Sequence, residues 1–270
     1  MRRVVFTIVI VAVVLFSIGP FMWILNTSLK SPQTIAERPP TIIPDLQTEF
    51  FAAAVDEHNF MRYVGNSAIV AGLTTLLAVL VGTLAAYPLA RLRMPWRRGI
   101  LSLVLAASMF PQIAIVGGVY RLLLKLGLLN THPGLVLPYT ALTLPLAIWI
   151  LTSFFKEIPS DLEDSARVDG CGPLATMWRI FVPVAAPAVF TTAILVFIYA
   201  WNEFFFALLI MTDPAVQTLP VGIAKFPGEY MVPWGELAAA AVIATIPLVV
   251  LVLVLQRRII SGLTAGAVKG

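Results

Sequence analysis

The chain has 270 residues, of which 59% are hydrophobic and 12% are charged, and its formal net charge is +4. A soluble domain carries roughly 25% charged residues, so a chain this apolar is expected to have lipid as its solvent. The positive charges lie scattered at the ends of apolar runs, which fits membrane topology better than a nucleic-acid-binding patch. The single cysteine, Cys171, excludes an internal disulfide, and no Cys or His spacing indicates a metal site. His58 and His132 are predicted to be solvated loop residues.

Six apolar runs approach the ~20 residues that a spanning helix needs. They cover residues 4–25, 66–90, 99–119, 134–154, 187–211 and 237–255. Since unpaired backbone groups are not tolerated in hydrocarbon, each run is predicted to be an α-helix. The expected fold class is an all-α membrane protein, with one domain over residues 1–270. Arg2 and Arg3 precede the first run as in a cleavable signal, but its length and the lack of a small-residue cleavage site favour a membrane helix.

The distribution of Lys and Arg predicts the orientation of the spans. With the N-terminus inside, twelve of the 18 basic residues lie in inner segments and six in outer ones. Both termini, the tail over residues 256–270 and the segment 160–183 are therefore predicted to be cytoplasmic. The outer segment 26–65 contains several prolines and is expected to be irregular, with a short helix near residues 50–60.

Proline residues inside the runs predict bends in four of the spans. They are Pro88, Pro111, Pro145 and Pro247. Each lacks the amide hydrogen that would continue the helix and leaves a backbone carbonyl without its partner.

Residues 160–183, which we call the hairpin, form a polar segment between the fourth and fifth runs. Five charged residues fall within ten positions of its first part: Asp161, Glu163, Asp164, Arg167 and Asp169. Ser160 and Glu163 have the spacing of a capping box, so a short helix is predicted from Asp161 to Asp169. Gly170 supplies the left-handed residue that ends such a helix.

The second part of the hairpin is predicted to be another helix, opened by Pro173 after a bend at Gly172. Leu174, Met177, Ile180 and Phe181 have the spacing of one apolar stripe. Pro183 then ends or kinks the helix. A DNA-binding helix-turn-helix is disfavoured because the segment is tethered at both ends and acidic in its first helix. A passive amphipathic linker stays open, but the punctuation favours a rigid docking element for a cytoplasmic subunit.

The spacing within the hairpin resembles the "EAA" coupling loop of ABC-importer permeases. Asp164-Ser165-Ala166, three residues, Gly170, nine residues, Ile180, one residue and Val182-Pro183 follow the pattern Glu-Ala-Ala, Gly, Ile and Leu-Pro, with Asp164, Ser165 and Val182 as departures. Further stretches look like the second permease of maltose- or trehalose-type importers: Trp23 with Ser28-Leu29-Lys30, Asn66-Ser67, Ala85-Ala86-Tyr87 with Ala90-Arg91-Leu92, Met109-Phe110-Pro111, Trp201-Asn202-Glu203-Phe204 and the tail 262–270.

This resemblance implies the type I ABC-importer permease fold with six transmembrane helices, in a bacterial or archaeal cytoplasmic membrane. It implies inward transport of a sugar, a di- or oligosaccharide, driven by ATPases that grip the hairpin. The implied coupling residues are Glu163, Asp164, Ser165, Ala166, Arg167, Asp169, Gly170, Ile180 and Pro183. The implied partners are a second homologous permease, two ATP-binding subunits, an extracytoplasmic sugar-binding protein and membrane lipid, and no nucleic acid.

The chain lacks a GxxxxGK[ST] loop that would hold phosphates. This chain is therefore expected to be non-catalytic and without a cofactor, with ATP and Mg²⁺ bound by the partner ATPase. By the resemblance, the C-terminal tail also reaches the ATPase pair.

Glu203 is the only acidic or basic residue inside a predicted span, so it is expected to face a polar cavity or a partner. Together with Tyr199, Trp201 and Asn202 it forms a candidate substrate pathway, with Tyr199 and Glu203 on one helix face. Glu203 pairing across a permease–permease interface is the open alternative, and Trp201 and Asn202 are also suited to helix packing.

Two other functional classes were weighed against the importer permease. A stand-alone ion-coupled secondary transporter would need more buried ionisable residues than Glu203. A membrane-embedded enzyme would need a catalytic motif, and none is present in the sequence.

Overall fold

The computed structural model describes residues 2–37, 39, 41–56, 60–92, 94–225 and 232–267, with side chains as far as Leu255. Within these residues the regular elements are helices and none is a strand, which confirms the predicted all-α class. The helices are α1 (Arg2–Ser28), α2 (Pro32–Ala36), α3 (Glu49–Asp56), α4 (Phe60–Arg91), α5 (Arg97–Ser108), α6 (Gln112–Lys125), α7 (His132–Glu157), α8 (Ser160–Val168), α9 (Pro173–Val184), α10 (Ala186–Asn202), α11 (Phe205–Ile210), α12 (Leu219–Ala224) and α13 (Trp234–Ala267).

Four of the described helices are long and apolar enough to cross a membrane: α1, α4, α7 and the part of α13 from Trp234 to Leu255. Two further helix pairs have the required apolar length but are bent, α5 with α6 by 90° and α9 with α10 by 81°. Counting each bent pair as one span gives six, the number that the sequence predicts, although the second pair includes α9, which the sequence assigns to the polar segment 160–183 and not to a span.

The third apolar run bends at a proline. Helix α5 is capped by Met109, and Pro111 occupies the N-cap of α6, so the chain leaves helical geometry between them. The predicted bend is thus found at Pro111, where the missing amide hydrogen interrupts the backbone hydrogen bonds. By contrast, Pro88, Pro145 and Pro247 lie inside α4, α7 and α13, which do not break there.

The fifth apolar run, 187–211, is not the single helix that the sequence predicts. Helix α10 ends at Asn202, and Glu203 has the extended dihedrals φ −69° and ψ 123°. The short helix α11 begins two residues later, at Phe205. The uninterrupted apolar composition hides this break, because hydropathy alone does not report backbone geometry.

The helices form two compact units, one of residues 1–64 with 219–248 and the other of residues 65–218 with 249–270. The first is called unit 1 and the second unit 2. The single domain over residues 1–270 stays a prediction.

In unit 1, polar contacts hold the segment between α1 and α3. Lys30 is buried, donates from Nζ to the Thr41 carbonyl at 2.6 Å and lies 5.1 Å from the centre of the Trp23 ring. The Asp45 carboxylate accepts from the Thr34 hydroxyl and from the Ser31 amide, and these hydrogen bonds hold the pKa of Asp45 below its usual value. Helix α3 confirms the short helix predicted in this segment.

In unit 2, α7 is the most buried of the spanning helices and packs against α5, α10 and α11. One buried apolar cluster joins α4, α7 and α9, and its members are Ala86, Tyr87, Ala90, Leu151, Phe155, Ile158, Met177, Phe181 and Ala185. This cluster fixes the place of the hairpin in unit 2.

His132 is not the solvated loop residue that the sequence predicts. It opens α7, is half-buried, and one ring nitrogen lies 3.1 Å from Oδ1 of Asn66. The Asn66 amide also donates to the carbonyls of Ala215 and Gln217, at 3.1 and 2.9 Å, so the histidine joins a network of long-range contacts. His58 lies outside the described residues.

We predict that Gly134→Ala destabilises unit 2. A Cβ at this position would lie 2.1 Å from the Leu128 carbonyl oxygen, a backbone atom that cannot rotate away. The expected loss is about 1–3 kcal/mol, the usual cost of overpacking. Thermal unfolding of the purified chain in detergent measures it, with Gly117→Ala as the control because no atom lies within 4 Å of its Cβ position. Equal unfolding temperatures for the two variants would contradict the prediction.

Candidate functional site

The first helix of the hairpin, α8, begins at Ser160 without the predicted capping box. Pro159 occupies the N-cap position, and no side chain caps the helix there. Ser160 is therefore already helical and cannot act as the cap. The Glu163 carboxylate is instead paired with Arg167 one turn later, at 2.6 Å.

The turn after α8 has the geometry that the sequence predicts. Gly170 has a φ of +78°, in the left-handed region that favours glycine. Its amide donates to the Arg167 carbonyl at 3.0 Å, and the Cys171 amide donates to the Ala166 carbonyl at 2.8 Å. These two bonds form a Schellman motif, which satisfies the last carbonyls of α8 and gives the turn one defined shape.

The second helix, α9, opens at Pro173 as predicted but contains a π-helical turn from Met177 to Phe181. The π-turn places more residues in each turn than an α-helix does, so the predicted apolar stripe does not continue along α9. Met177 and Phe181 are buried, whereas Leu174 is 65% exposed.

Pro183 stands at the end of α9, just before a bend, as the sequence predicts. The helix runs on to Val184, and the 81° bend into α10 follows there. The missing amide hydrogen of Pro183 removes one backbone hydrogen bond from the last turn of α9.

We call the part of the hairpin that packs against α4 and α7, with Met177 and Phe181, its base. Aromatic contacts bury this base in unit 2. Phe181 makes edge-to-face contacts with Tyr87 of α4 and Phe155 of α7, with ring centres 5.1 and 5.8 Å away. Such aromatic pairs stabilise by about 0.5–1.5 kcal/mol beyond the area that they bury. The base is therefore fixed to two spanning helices.

Arg91, the last residue of α4, adds a polar anchor to the same place. Its guanidinium donates to the Ile158 carbonyl just before the hairpin and lies 4.8 Å from the centre of the Phe181 ring. A cation over an aromatic ring gains about 0.5–2 kcal/mol. The sequence indicates Arg91 only as one of several basic residues that set the orientation of the spans, so this positioning role was missed.

The predicted coupling residues separate into an exposed and a buried set. The exposed residues are Asp164, Ser165, Arg167, Asp169, Gly170 and Pro183. Glu163 and Ala166 are buried and Ile180 is half-buried. The exposed set is available to another chain, while the buried set fixes the hairpin.

Two apolar side chains beside the turn are exposed, although the sequence analysis did not single them out as contacts. Val168 is 87% exposed and Leu174 is 65% exposed. We call the exposed residues 164–174 the tip of the hairpin. An apolar pair on a rigid, polar tip is the kind of surface that a protein partner covers.

The Glu203 carboxylate lies in a buried polar cluster. It accepts from the hydroxyl of Tyr139 on α7 and from the amides of Phe206 and Ala207, at 3.0 and 3.3 Å. The two amides belong to the first turn of α11, whose positive end favours a carboxylate. Glu203 is thus satisfied within this chain, which the sequence could not indicate because Tyr139 is 64 positions away.

The other candidate pathway residues also make contacts within this chain. The Tyr199 hydroxyl accepts from the Gln112 amide at 2.5 Å, and Trp201 is buried and stacks on Phe197 with ring centres 5.6 Å apart. Asn202 is exposed and donates to a carbonyl of its own helix. Helix α10 ends at Asn202, so Glu203 stands directly after the helix as its C-cap, and the shared face with Tyr199 stays a prediction. The substrate-pathway role of these residues stays a prediction.

In the part of the chain that the structure describes, the regular elements are helices, up to six spans are formed, and an exposed hairpin with a defined turn follows α7. This is the architecture of a membrane permease. Residues 78–264 match the family described as the binding-protein-dependent transport system inner membrane component. The chain belongs to this family, which confirms the resemblance to ABC-importer permeases drawn from the sequence.

Several curated relatives match over nearly the whole chain. The trehalose/maltose transport system permease protein MalG of Thermococcus litoralis is 42% identical over 272 residues, which cover 100% of this chain and 98% of the relative. The trehalose transport system permease protein SugB of Mycobacterium tuberculosis is 42% identical over 263 residues, covering 96% and 94%. The sulfoquinovosyl glycerol transport system permease protein SmoH of Agrobacterium fabrum is 42% identical over 252 residues, covering 93% and 88%.

Two solved structures share the fold. A bacterial ABC transporter involved in the import of the acidic polysaccharide alginate has a chain with a TM-score of 0.82 and 20% identity, and the match covers 95% of each chain. The alginate transporter in complex with its alginate pentasaccharide-bound periplasmic protein gives a TM-score of 0.67 and 16% identity, again over 95% of each chain. These matches confirm the permease fold.

Gly170→Ala is predicted to loosen the turn of the hairpin, whereas Gly172→Ala should not. A left-handed residue with a Cβ costs roughly 1–2 kcal/mol, and Gly172 has an ordinary φ of −72° with open space around its Cβ position. Backbone hydrogen exchange is the measurement. The amides of residues 170 and 171 should exchange roughly 5–30-fold faster in Gly170→Ala only. Equal exchange in both variants would show that the left-handed turn is not required.

A second pair of variants tests the Glu203 cluster. Tyr139→Phe and Glu203→Gln should each lower the free energy of unfolding by about 1–3 kcal/mol, because each leaves a buried group without its partner. The double variant should lose less than the sum, and Tyr120→Phe on α6 is the matched control. If Glu203→Gln kept full stability but transported less sugar, the substrate-pathway role would replace the structural one.

Proposed function

We propose that this chain is the membrane-spanning subunit that carries a sugar, a di- or oligosaccharide, inward through an ATP-driven importer. The observation that carries the proposal is the hairpin, a defined turn with an exposed tip and a buried base, in a chain 42% identical to trehalose and maltose permeases over its whole length. The relatives named for trehalose, maltose and sulfoquinovosyl glycerol support a carbohydrate as the substrate class.

In this proposal the hairpin and both termini face the cytoplasm. The excess of Lys and Arg in the segments on that side supports this orientation. Helix α4 ends at Arg91 and α7 ends next to Lys156, so basic residues stand beside the base of the hairpin.

The transport cycle requires partners that this chain does not supply. Two ATP-binding subunits bind ATP and Mg²⁺, hydrolyse ATP and hold the tips, while this chain itself is non-catalytic. A second homologous permease completes the path, and an extracytoplasmic sugar-binding protein delivers the substrate. The family description and the alginate transporter bound to its periplasmic protein support the last of these partners.

Closure of the ATPases would move the tip, and the buried base would pass that displacement to α4 and α7. Val168 and Leu174 are proposed as the apolar contacts, with Asp164, Arg167 and Asp169 around them. The tail 256–270 is proposed to reach the ATPase pair as well. Its side chains lie outside the described part of the structure.

The ion-coupled alternative has less support. Glu203, the acidic residue inside an apolar run, already has three donors in this chain. Among the described residues no group of His, Cys, Asp and Glu could hold a metal ion.

We predict that Val168→Ser combined with Leu174→Ser uncouples the transporter. The loss of two central apolar contacts should weaken ATPase binding by tenfold or more, since a contact worth about 1.4 kcal/mol changes affinity tenfold. The measurements are co-purification with the ATPase, and trehalose- or maltose-stimulated ATP hydrolysis and uptake in reconstituted vesicles.

Val184→Ser is the control, because Val184 is 51% exposed but lies at the base of the hairpin. Full coupling in the double variant would argue against docking through the tip. Sugar uptake by the purified chain alone, without ATP, would favour the secondary transporter.

A further inference from the structure

A cavity of about 570 Å³ lies in unit 2 beside the start of α5. It is lined by Met94, Pro95, Arg97, Arg98, Leu101 and Lys156. Three of these six residues are cations, and they come from two helices, α5 and α7. We call it the basic cavity.

The cations of the basic cavity are not held in ion pairs with described carboxylates. Arg97, Arg98 and Lys156 make no ion pair with a described residue. The first turn of α5 contains no acidic residue, and Arg97 and Arg98 stand at the positive end of the helix dipole. Glu157, next to Lys156 in sequence, does not line the cavity. Such a cluster attracts an anion.

The remaining lining of the cavity is apolar. Met94, Pro95 and Leu101 form this part, and Leu101 is buried. Trp96, between the cavity residues in sequence, is 78% exposed. Exposed tryptophans at the ends of apolar helices are typical of the boundary between lipid and water. A ligand with an anionic head and an apolar body therefore matches this lining better than a free anion does.

The basic cavity is next to the base of the hairpin along the chain. Arg97 follows Arg91 by six positions, and Lys156 precedes the first residue of α8 by four. In the proposed orientation this end of α4 and α7 lies at the cytoplasmic leaflet. Basic pockets between transmembrane helices on that side of a membrane bind anionic lipid headgroups.

We propose that the basic cavity binds the phosphate headgroup of an anionic phospholipid of the cytoplasmic leaflet. The side of the membrane rests on the proposed function. Arg97 and Arg98 donate to the phosphate oxygens, Lys156 adds a third charge, and Trp96 with the apolar lining contacts the glycerol and the first part of the acyl chains.

The test is native mass spectrometry of the full chain purified in detergent with phosphatidylglycerol or phosphatidylcholine added. The chain should retain phosphatidylglycerol selectively. Arg97→Gln with Lys156→Gln should reduce this retention roughly 30-fold, the factor expected from the loss of two cations at a lipid surface.

Two variants serve as controls. Arg121→Gln with Lys125→Gln removes one arginine and one lysine from α6 and should leave retention unchanged. Arg97→Lys with Lys156→Arg keeps both charges and should retain most of the binding, which separates loss of charge from substitution at these positions. Thermal unfolding is recorded for each variant.

Equal retention in the two charge-removing variants would overturn the proposal. Displacement of the lipid by millimolar inorganic phosphate, together with phosphate binding that needs no lipid, would assign the cavity to a free anion. Loss of the lipid on assembly with the ATPase would assign it to a protein interface. Each readout is lipid binding, so failure here leaves the coupling role of the hairpin tip to its own experiment.

Discussion

Arg91 donates to the Ile158 carbonyl and lies over the Phe181 ring, and through these contacts the end of α4 meets both α7 and the hairpin. The guanidinium is one of few polar groups at this otherwise apolar junction, whose rings are those of Tyr87, Phe155 and Phe181. A hydrogen bond to a charged donor in such surroundings stabilises by about 1.5–3 kcal/mol. Removing it would leave the Ile158 carbonyl without this donor and the ring contact incomplete, so the hairpin would lose its fixed direction relative to the spans.

The energy that holds the hairpin is unevenly distributed. At the tip, Arg167 pairs with Glu163 while its own side chain is 61% exposed, and ion pairs of that kind contribute about 0–1 kcal/mol. At the base, Met177 and Phe181 are almost completely buried, and each such side chain contributes about 1.5–3 kcal/mol. The tip is accordingly shaped by its backbone, through the Schellman motif, and the base by packing. This separation leaves the exposed tip side chains available for recognition.

Sequence reasoning succeeded where short-range chemistry decides the structure. Gly170 and Pro173 are sufficient to predict the turn between α8 and α9, because left-handed φ values and first-turn positions select these residues. It failed where the local structure involves an adjacent residue that the motif does not include, or a residue far away in the sequence. The N-cap at Pro159 excluded the capping box. At the break, Glu203 accepts a hydrogen bond from Tyr139 of another helix, a contact that no local pattern reports. The hydropathy of the fifth run is uniform across that break, so its two helices look like one.

The π-helical turn in α9 sets the direction of the residues before it relative to the residues after it. A residue added to or removed from a helix rotates everything on one side of it by about 100° relative to the other side. The wide turn takes up one residue more than an α-turn does, so it changes the direction of Leu174 relative to Phe181 from the direction that an unbroken α-helix would give. The spacing of the hairpin motif does not show this change, so the direction of the tip follows from backbone geometry as well as from the motif.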